Sequence, residues 1–180
     1  MTLEVRWVRA DDPLLAPLVE DLARDYDARY EPTDGVPSSA ELTRYPAAAF
    51  APEQGGAFVA LLDDGELVAG GALKRGRPGP DGRPLAELKR MWTSPAHRRR
   101  GLAGRVLAEL EQRAAALGYT GLELTTGARQ PEAVALYLRH GWTPDFDVRD
   151  DWERVSYLRF TRPAPPPPAA PAPPPAARRR

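Results

Sequence analysis

The sequence contains no cysteine, which excludes disulfides, cysteine metal ligands and a cysteine nucleophile. It has no apolar run that approaches the ~20 residues of a membrane span, and its first residues, MTLEVRWVRADD, lack the apolar core of a signal peptide. The two histidines, His97 and His140, have no partners at metal-ligand spacing. We therefore expect a cytoplasmic protein that binds neither a metal nor a membrane.

Neither sign of charge is in excess, since 25 basic and 25 acidic residues are present in 180. Without the three arginines of residues 163–180, the remainder has 22 basic and 25 acidic residues. A body with this balance has no overall attraction for nucleic acid. Residues 163–180 hold nine prolines and six alanines, a composition that cannot bury a core. We predict one folded domain over residues 1–162 and a disordered tail over 163–180.

Hydrophobic periodicity predicts strands that alternate with helices. Alternation and short apolar runs predict strands at Leu3–Val8, Phe58–Leu62, Leu67–Leu73, Leu85–Thr93, Gly121–Thr126 and Val155–Phe160. Helical spacing predicts helices from Pro13, over Gly101–Leu117 and over Pro131–His140. Proline and glycine predict a flexible loop over Gly76–Pro84. The order indicates an α/β fold, a mixed, mostly antiparallel sheet flanked by helices.

The most informative segment is SPAHRRRGLAGR, residues 94–105, where a predicted strand gives way to a predicted helix. Arg98 to Arg100 precede a glycine pair, Gly101 and Gly104. Cations are unfavourable at the positive end of a helix dipole unless an anion lies there. Backbone N–H groups and glycine allow a phosphate to approach such an end closely. The alternative is a solvated arginine run beside a helix that begins at glycine.

This segment resembles the signature of the GNAT acetyltransferases, Gln/Arg-x-x-Gly-x-Gly/Ala, which here is Arg98-Arg99-Arg100-Gly101-Leu102-Ala103. A second motif of that family, Asn-x-x-Ala-x-x-Leu-Tyr followed by Gly-Phe, is similar to QPEAVALY at residues 130–137 and to Gly141-Trp142. Gln130 stands where the family usually has asparagine. The motifs begin 32 residues apart, with a predicted helix and strand between them, as in the family.

The resemblance implies an N-acetyltransferase that uses acetyl-CoA as co-substrate. By position, the contacts to its pyrophosphate fall on Arg98, Arg99, Arg100, Gly101, Leu102, Ala103, Gly104 and Arg105. The end of the preceding strand would hydrogen-bond the pantetheine arm through Met91, Trp92 and Thr93. The co-substrate would lie in a V between the strands Leu85–Thr93 and Gly121–Thr126.

Glu87 is the predicted catalytic base. It is a charged residue in a strand that we expect to be central and hence apolar, and it lies eleven residues before Arg98, where some members of the family carry a glutamate base. The alternative for Glu87 is a structural ion pair with Lys89, which lies on the same face of the strand. Glu123 on the neighbouring strand is the alternative base.

Tyr137 is the predicted catalytic acid, because the family commonly uses the tyrosine at this position of the second motif to protonate the departing thiolate. Its phenol has an ordinary pKa near ~10. The alternative is a core position, since helical spacing joins it to Ala133, Leu136 and His140.

The predicted reaction is direct attack by the acceptor amine in a ternary complex, which the lack of cysteine favours over a covalent intermediate. The acceptor is expected to be a small amine or amino acid analogue, in a pocket that analogy assigns to Tyr26, Arg29, Tyr30 and Tyr45. Two alternatives remain: a protein or peptide N-acetyltransferase whose tail recruits a partner, and a non-catalytic acyl-CoA-binding module. The sequence leaves a homodimer open.

Overall fold

The computed structural model describes residues 3–155 and 157–167. Within them seven strands form one sheet: β1 (Leu3–Val8), β2 (Ala57–Asp63), β3 (Glu66–Pro78), β4 (Pro84–Thr93), β5 (Gly121–Gly127), β6 (Thr143–Pro144) and β7 (Tyr157–Pro163). The helices are α1 (Ala16–Arg29), α2 (Leu102–Ala116) and α3 (Pro131–Arg139). Across the described part of the chain, no helix combines the length and hydrophobicity of a membrane span.

The predicted mixed, mostly antiparallel sheet is confirmed. The strand order is β1-β2-β3-β4-β5-β7-β6, and the β4–β5 pair is parallel while its neighbours pair antiparallel. The predicted loop over Gly76–Pro84 is shorter than expected, because β3 extends to Pro78, which pairs with Pro84 at the start of β4. The short strand β6 was not predicted, since its two residues pair with the distant β7 and carry no periodicity of their own.

Helices cover both faces of the sheet and divide the core into two clusters. One cluster packs α2 and α3 on the sheet through residues that include Val106, Leu110, Val134, Val59, Leu73 and Leu88. The other packs α1 on the opposite face through Leu18, Leu22, Phe58, Ala72 and Trp92. Because both faces are covered, β2 is buried along nearly its whole length, as its continuous apolar sequence requires.

The sheet opens at its centre, between β4 and β5. These strands pair at only two positions, Ala86–Leu122 and Glu87–Glu123. Beyond Glu87 they separate, so residues 88–93 of β4 have no paired strand on that side within the described sheet. The separated part of β4 carries a bulge, where the register against β3 shifts and Arg90 has a left-handed φ of 56°. This gap positions the site described below.

The predicted tail lies largely outside the described residues. Its first residue, Pro163, ends β7 opposite Gly121, and the backbone N–H of Ala164 donates to the Thr120 carbonyl oxygen at 3.0 Å. Residues 168–180 are not among those described. Disorder over 163–180 stays a prediction, and the structure places its first two residues against the body.

Deletion of residues 168–180 is expected to leave the melting temperature within about 2 °C of the full chain, because a segment of proline, alanine and arginine buries no core. Truncation after Arg162 should lower it further, since the hydrogen bond of Ala164 is then lost. Thermal unfolding of the two truncated chains beside the full chain measures both effects. A fall of many degrees for the shorter deletion would show that residues 168–180 pack on the body.

Candidate active site

A cleft with a volume of about 1620 Å³ occupies the gap between β4 and β5. The first turn of α2 and the helix α3 line it from one face of the sheet, and α1 and the short helix Ser38–Leu42 line it from the other. The cleft therefore reaches both faces. Among the described residues, no group of three histidine or carboxylate side chains is placed to hold a metal ion.

One end of the cleft is the segment predicted to bind phosphate. Gly101 precedes α2 with a left-handed φ of 77°, and a Cβ atom there would meet open space. The backbone N–H groups of Leu102, Ala103 and Gly104 find no hydrogen-bond partner among the described residues. Unpaired amides at the positive end of a helix dipole form an anion site.

Most of the predicted cofactor-binding residues line this cleft. From the loop and helix these are Arg98, Arg99, Gly101, Leu102, Ala103 and Gly104, and from β4 they are Met91, Trp92 and Thr93. Arg100 and Arg105 are not among the lining residues, and Arg105 instead forms an ion pair with Glu109 at 2.7 Å (Nη2–Oε1). The Thr93 hydroxyl is buried at the cleft without a partner in the described part of the chain.

Gly104 allows a close contact that the sequence did not predict. A Cβ atom at this position would lie 2.6 Å from Cε1 of His140, so the first turn of α2 packs directly on the imidazole ring. His140 follows α3, lines the cleft, and accepts a hydrogen bond from Arg162 at its carbonyl oxygen. Any larger residue at position 104 would displace this histidine from the start of α2.

Tyr137 is packed as a core residue and also lines the cleft, so its role as the catalytic acid stays a prediction. Its side chain is 5% exposed, and its ring packs on Trp142 and Phe160 with centroid distances of 6.0 Å and 5.4 Å. It also lines the cleft. Burial raises the pKa of Tyr137 above its ordinary value, with a smaller contribution from Tyr26. The phenol therefore stays protonated at neutral pH, as an acid must before it donates its proton.

Glu87 lies between the two lysines of the chain. Its Oε2 is 2.6 Å from Lys74 Nζ, and its Oε1 is 3.1 Å from Lys89 Nζ. Both ammonium groups also face the ring of Tyr45, at 4.5 Å and 5.2 Å from its centroid. Burial alone would lower the pKa of Lys89, but the Glu87 carboxylate raises it. Lys89 lines the cleft and Glu87 does not, so the ion pair separates the predicted base from the open space.

Glu123, the alternative base, is more deeply buried than Glu87. Its side chain is 3% exposed and accepts hydrogen bonds from the Arg77 backbone at 3.0 Å and from the Arg159 guanidinium at 2.9 Å. Burial would raise the pKa of Glu123, but these hydrogen bonds lower it below its ordinary value. A carboxylate stabilised by two arginines accepts a proton poorly.

The side of the cleft formed by α1 and the Ser38–Leu42 helix, here called the α1 side, contains the four residues that analogy assigns to the acceptor pocket, Tyr26, Arg29, Tyr30 and Tyr45. Burial raises the pKa of Tyr26 to about 12, with a further contribution from nearby Glu41. Arg29 and Arg129 each donate to the other's backbone carbonyl oxygen, at 2.7 Å and 2.8 Å. These reciprocal bonds fasten the end of α1 to the loop between β5 and α3.

At the gap between the parallel strands β4 and β5, the start of a helix offers backbone amides without a described partner, and a buried tyrosine lines the same cleft. The model of the Acetyltransferase (GNAT) family matches residues 17–142. The chain belongs to this family, whose members use acetyl-CoA and acetylate amines. Membership favours an enzyme over the non-catalytic binding module.

Individual relatives agree with this assignment. The chain is 32% identical over 118 residues to N-acetyltransferase 8 of Rattus norvegicus, covering 63% of this chain and 53% of that protein. It thus spans about half the length of that curated relative.

Two solved structures show the same fold. A GNAT-family acetyltransferase from Staphylococcus aureus Mu50 has a TM-score of 0.67 at 14% identity, over 91% of this chain and 100% of that chain. A GNAT phosphinothricin acetyltransferase from Sinorhizobium meliloti, solved with acetyl-CoA, has a TM-score of 0.61 at 22% identity, over 91% of this chain and 89% of that chain.

Proposed function

We propose that the chain transfers the acetyl group of acetyl-CoA to a primary amine of a small molecule, by direct attack in a ternary complex. The observation that carries this proposal is the cleft between β4 and β5, which reaches both faces of the sheet. One face offers the unpaired amides of α2, and the other offers the tyrosines of α1. Two substrates can therefore meet at the gap without competing for the same surface.

The residues at the α2 end fit acetyl-CoA, which supplies the acetyl group as a thioester. The backbone N–H groups of Leu102, Ala103 and Gly104 can donate hydrogen bonds to a pyrophosphate, and Arg98 and Arg99 add positive charge at the same end. Within the described sheet, the part of β4 from Met91 to Thr93 lacks a strand partner on its β5 side. Its backbone can therefore hydrogen-bond the amides of a pantetheine arm, as a strand would.

The proposed reaction forms a bond between the amine nitrogen and the acetyl carbon and breaks the carbon–sulfur bond. One proton leaves the amine, and one reaches the sulfur. Tyr137 is the proposed donor of the second proton, because its phenol lines the cleft in protonated form. Its ring is held by packing on Phe160, and this packing orients the hydroxyl.

Glu87 is the proposed acceptor of the amine proton. Its present contacts must change before it can accept that proton. Both carboxylate oxygens are held by ammonium groups, so one lysine must move before a proton is accepted. Lys89 is the better placed to move, because its Nζ also lies 3.5 Å from Oε1 of Glu41. A shift of Lys89 towards Glu41 would open Glu87 to water in the cleft.

Tyr137→Phe tests the acid role. It should lower turnover by about 100-fold while acetyl-CoA affinity stays near its starting value, because the acid acts on charge that develops during the reaction. Thiol release from acetyl-CoA with a panel of small amines measures turnover, and calorimetry measures affinity.

Tyr119→Phe is the matched control for loss of a buried phenol. The Tyr119 hydroxyl donates to the Gly55 carbonyl oxygen at 2.7 Å, away from the cleft. This variant should lose about 1 kcal/mol of stability and keep its turnover. Equal turnover in the two variants would assign Tyr137 to packing alone, and no amine-dependent thiol release from the unmodified chain would overturn the proposed function.

A further inference from the structure

Arg90 lies on the α1 side of the cleft, and the described residues include no acidic partner for it. It lines the cleft beside Lys89, and its Nη2 donates to the Leu42 carbonyl oxygen at 2.6 Å. Its guanidinium also lies 4.6 Å from the centre of the Phe50 ring. Within residues 3–155 and 157–167, no carboxylate lies within ion-pair distance of it. Most of its donors are therefore unused by the described protein.

The other cations on this side of the cleft are neutralised from within the chain. Lys89 pairs with Glu87 and Glu41, Arg44 with Glu41, Arg29 with Asp25 and Glu132, and Arg129 with Glu153. Arg98 and Arg99 lie at the opposite end, where α2 begins. Arg90 thus stands apart as a half-buried cation, and burial lowers its pKa. A partly buried charge without a counter-ion lowers the stability of the folded state.

The backbone at Arg90 is strained in a way that aims this side chain. Its φ of 56° lies in the left-handed region, which is unfavourable for a residue other than glycine. The bulge interrupts the alternation of β4, so Arg90 packs with Leu42 and Phe50 on the α1 face, while Met91 packs with the cluster around α2. Strain that persists at a cleft is typical of a functional position.

Tyr26 and Arg90 lie on the same side of the cleft. Tyr26 packs against the cluster that contains Leu42 and Phe50, the two residues that Arg90 contacts, and it lines the cleft together with Arg90 and Tyr137. A small molecule with an anion at Arg90 would extend past Tyr26 towards Tyr137. Its amine could then stand at the gap between β4 and β5.

We propose that Arg90 binds a carboxylate of the acceptor, so that the acceptors are primary amines that also carry a carboxylate, such as amino acids. This inference rests on the proposed acetyl transfer and adds the class of amine. The guanidinium can hold a carboxylate through two parallel hydrogen bonds. Arg90 is thereby a specificity residue, distinct from the residues that transfer protons.

The test compares each ω-amino acid of three to six carbons with its own carboxamide, at equal concentration of unprotonated amine. The wild-type kcat/KM should be about 100-fold higher for the carboxylate member of the best pair. Arg90→Met should remove this preference by lowering kcat/KM for the carboxylate alone. Arg90→Lys keeps the charge but loses the paired donors, so about one tenth of the wild-type value should remain for the carboxylate.

Arg44→Met is the matched control, because Arg44 lines the same cleft but is already paired with Glu41. It should leave the preference unchanged. Equal use of carboxylate and carboxamide by the wild-type chain overturns the inference while the proposed function stands, and this outcome needs no variant to fold. The absence of transfer to every amine, with acetyl-CoA still bound, overturns the proposed function as well.

Discussion

Gly101→Asp is expected to weaken acetyl-CoA binding by about 1000-fold, the scale of a lost charged site at a desolvated contact. Gly101 is the residue before α2, and a side chain there enters open space beside the unpaired amides. An aspartate would place its carboxylate where the pyrophosphate is proposed to bind. It would also accept hydrogen bonds from the helix amides, as aspartate does at many helix starts.

Gly101→Asn separates charge from backbone strain. Asparagine has the same size and tolerates a left-handed φ about as well as aspartate does, but it carries no charge. We expect it to weaken binding by about 10-fold. Calorimetric titration of CoA into each folded variant measures the difference, and thermal unfolding checks that both chains fold. Equal affinities of the two variants would place the pyrophosphate elsewhere.

Glu87→Gln is expected to lower the free energy of unfolding by about 3 kcal/mol, since it leaves two nearly buried lysines without their shared counter-ion. The side chains of Lys74 and Lys89 are 11% and 17% exposed. Glu41→Gln is the matched control, because the 39% exposed Glu41 contributes a more solvated ion pair to Lys89. It should cost less than about 1 kcal/mol. Urea unfolding of both variants gives the two values.

The same Glu87 variant decides the proposed base. Turnover of the folded fraction should fall by about 100-fold at neutral pH. The loss should shrink as pH rises, because more of the amine is then already deprotonated. A pH–rate profile with the wild-type shape and height would leave the ion pair as the function of Glu87. Proton loss to bulk water would then have to serve the reaction.

The sequence predicts most of the fold because its elements are long and strongly patterned. The helix Gly101–Leu117 was predicted within a residue of α2, where apolar positions recur with helical spacing and Gly118 follows. The ends of paired strands were predicted less well. β3 and β4 extend into the predicted loop because they pair with each other. The local pattern of apolar residues does not show which segments will pair.

The candidate site also has parts that the sequence predicts and parts that it does not. Its loop and Tyr137 follow from two motifs, since their chemistry depends on neighbours in sequence. The second lysine beside Glu87, Lys74, comes from β3, so spacing along β4 could indicate only Lys89. The contact of His140 with Gly104 joins α3 to α2. The bulge at Arg90 leaves one signal in the sequence, a charged residue in the middle of a strand that is otherwise expected to be buried.

The separation of β4 from β5 also affects how rigidly the two parts of the sheet are joined. Two residue pairs join a block of four strands, β1 to β4, to a block of three, β5 to β7. This narrow seam of two residue pairs gives little resistance to twisting of one block against the other. Helices and side chains must therefore hold the two blocks in alignment. The mutual bonds of Arg29 and Arg129 act as a brace on the far side of the seam. The alignment of the two blocks, and with it the width of the cleft between them, therefore depends in part on these two hydrogen bonds.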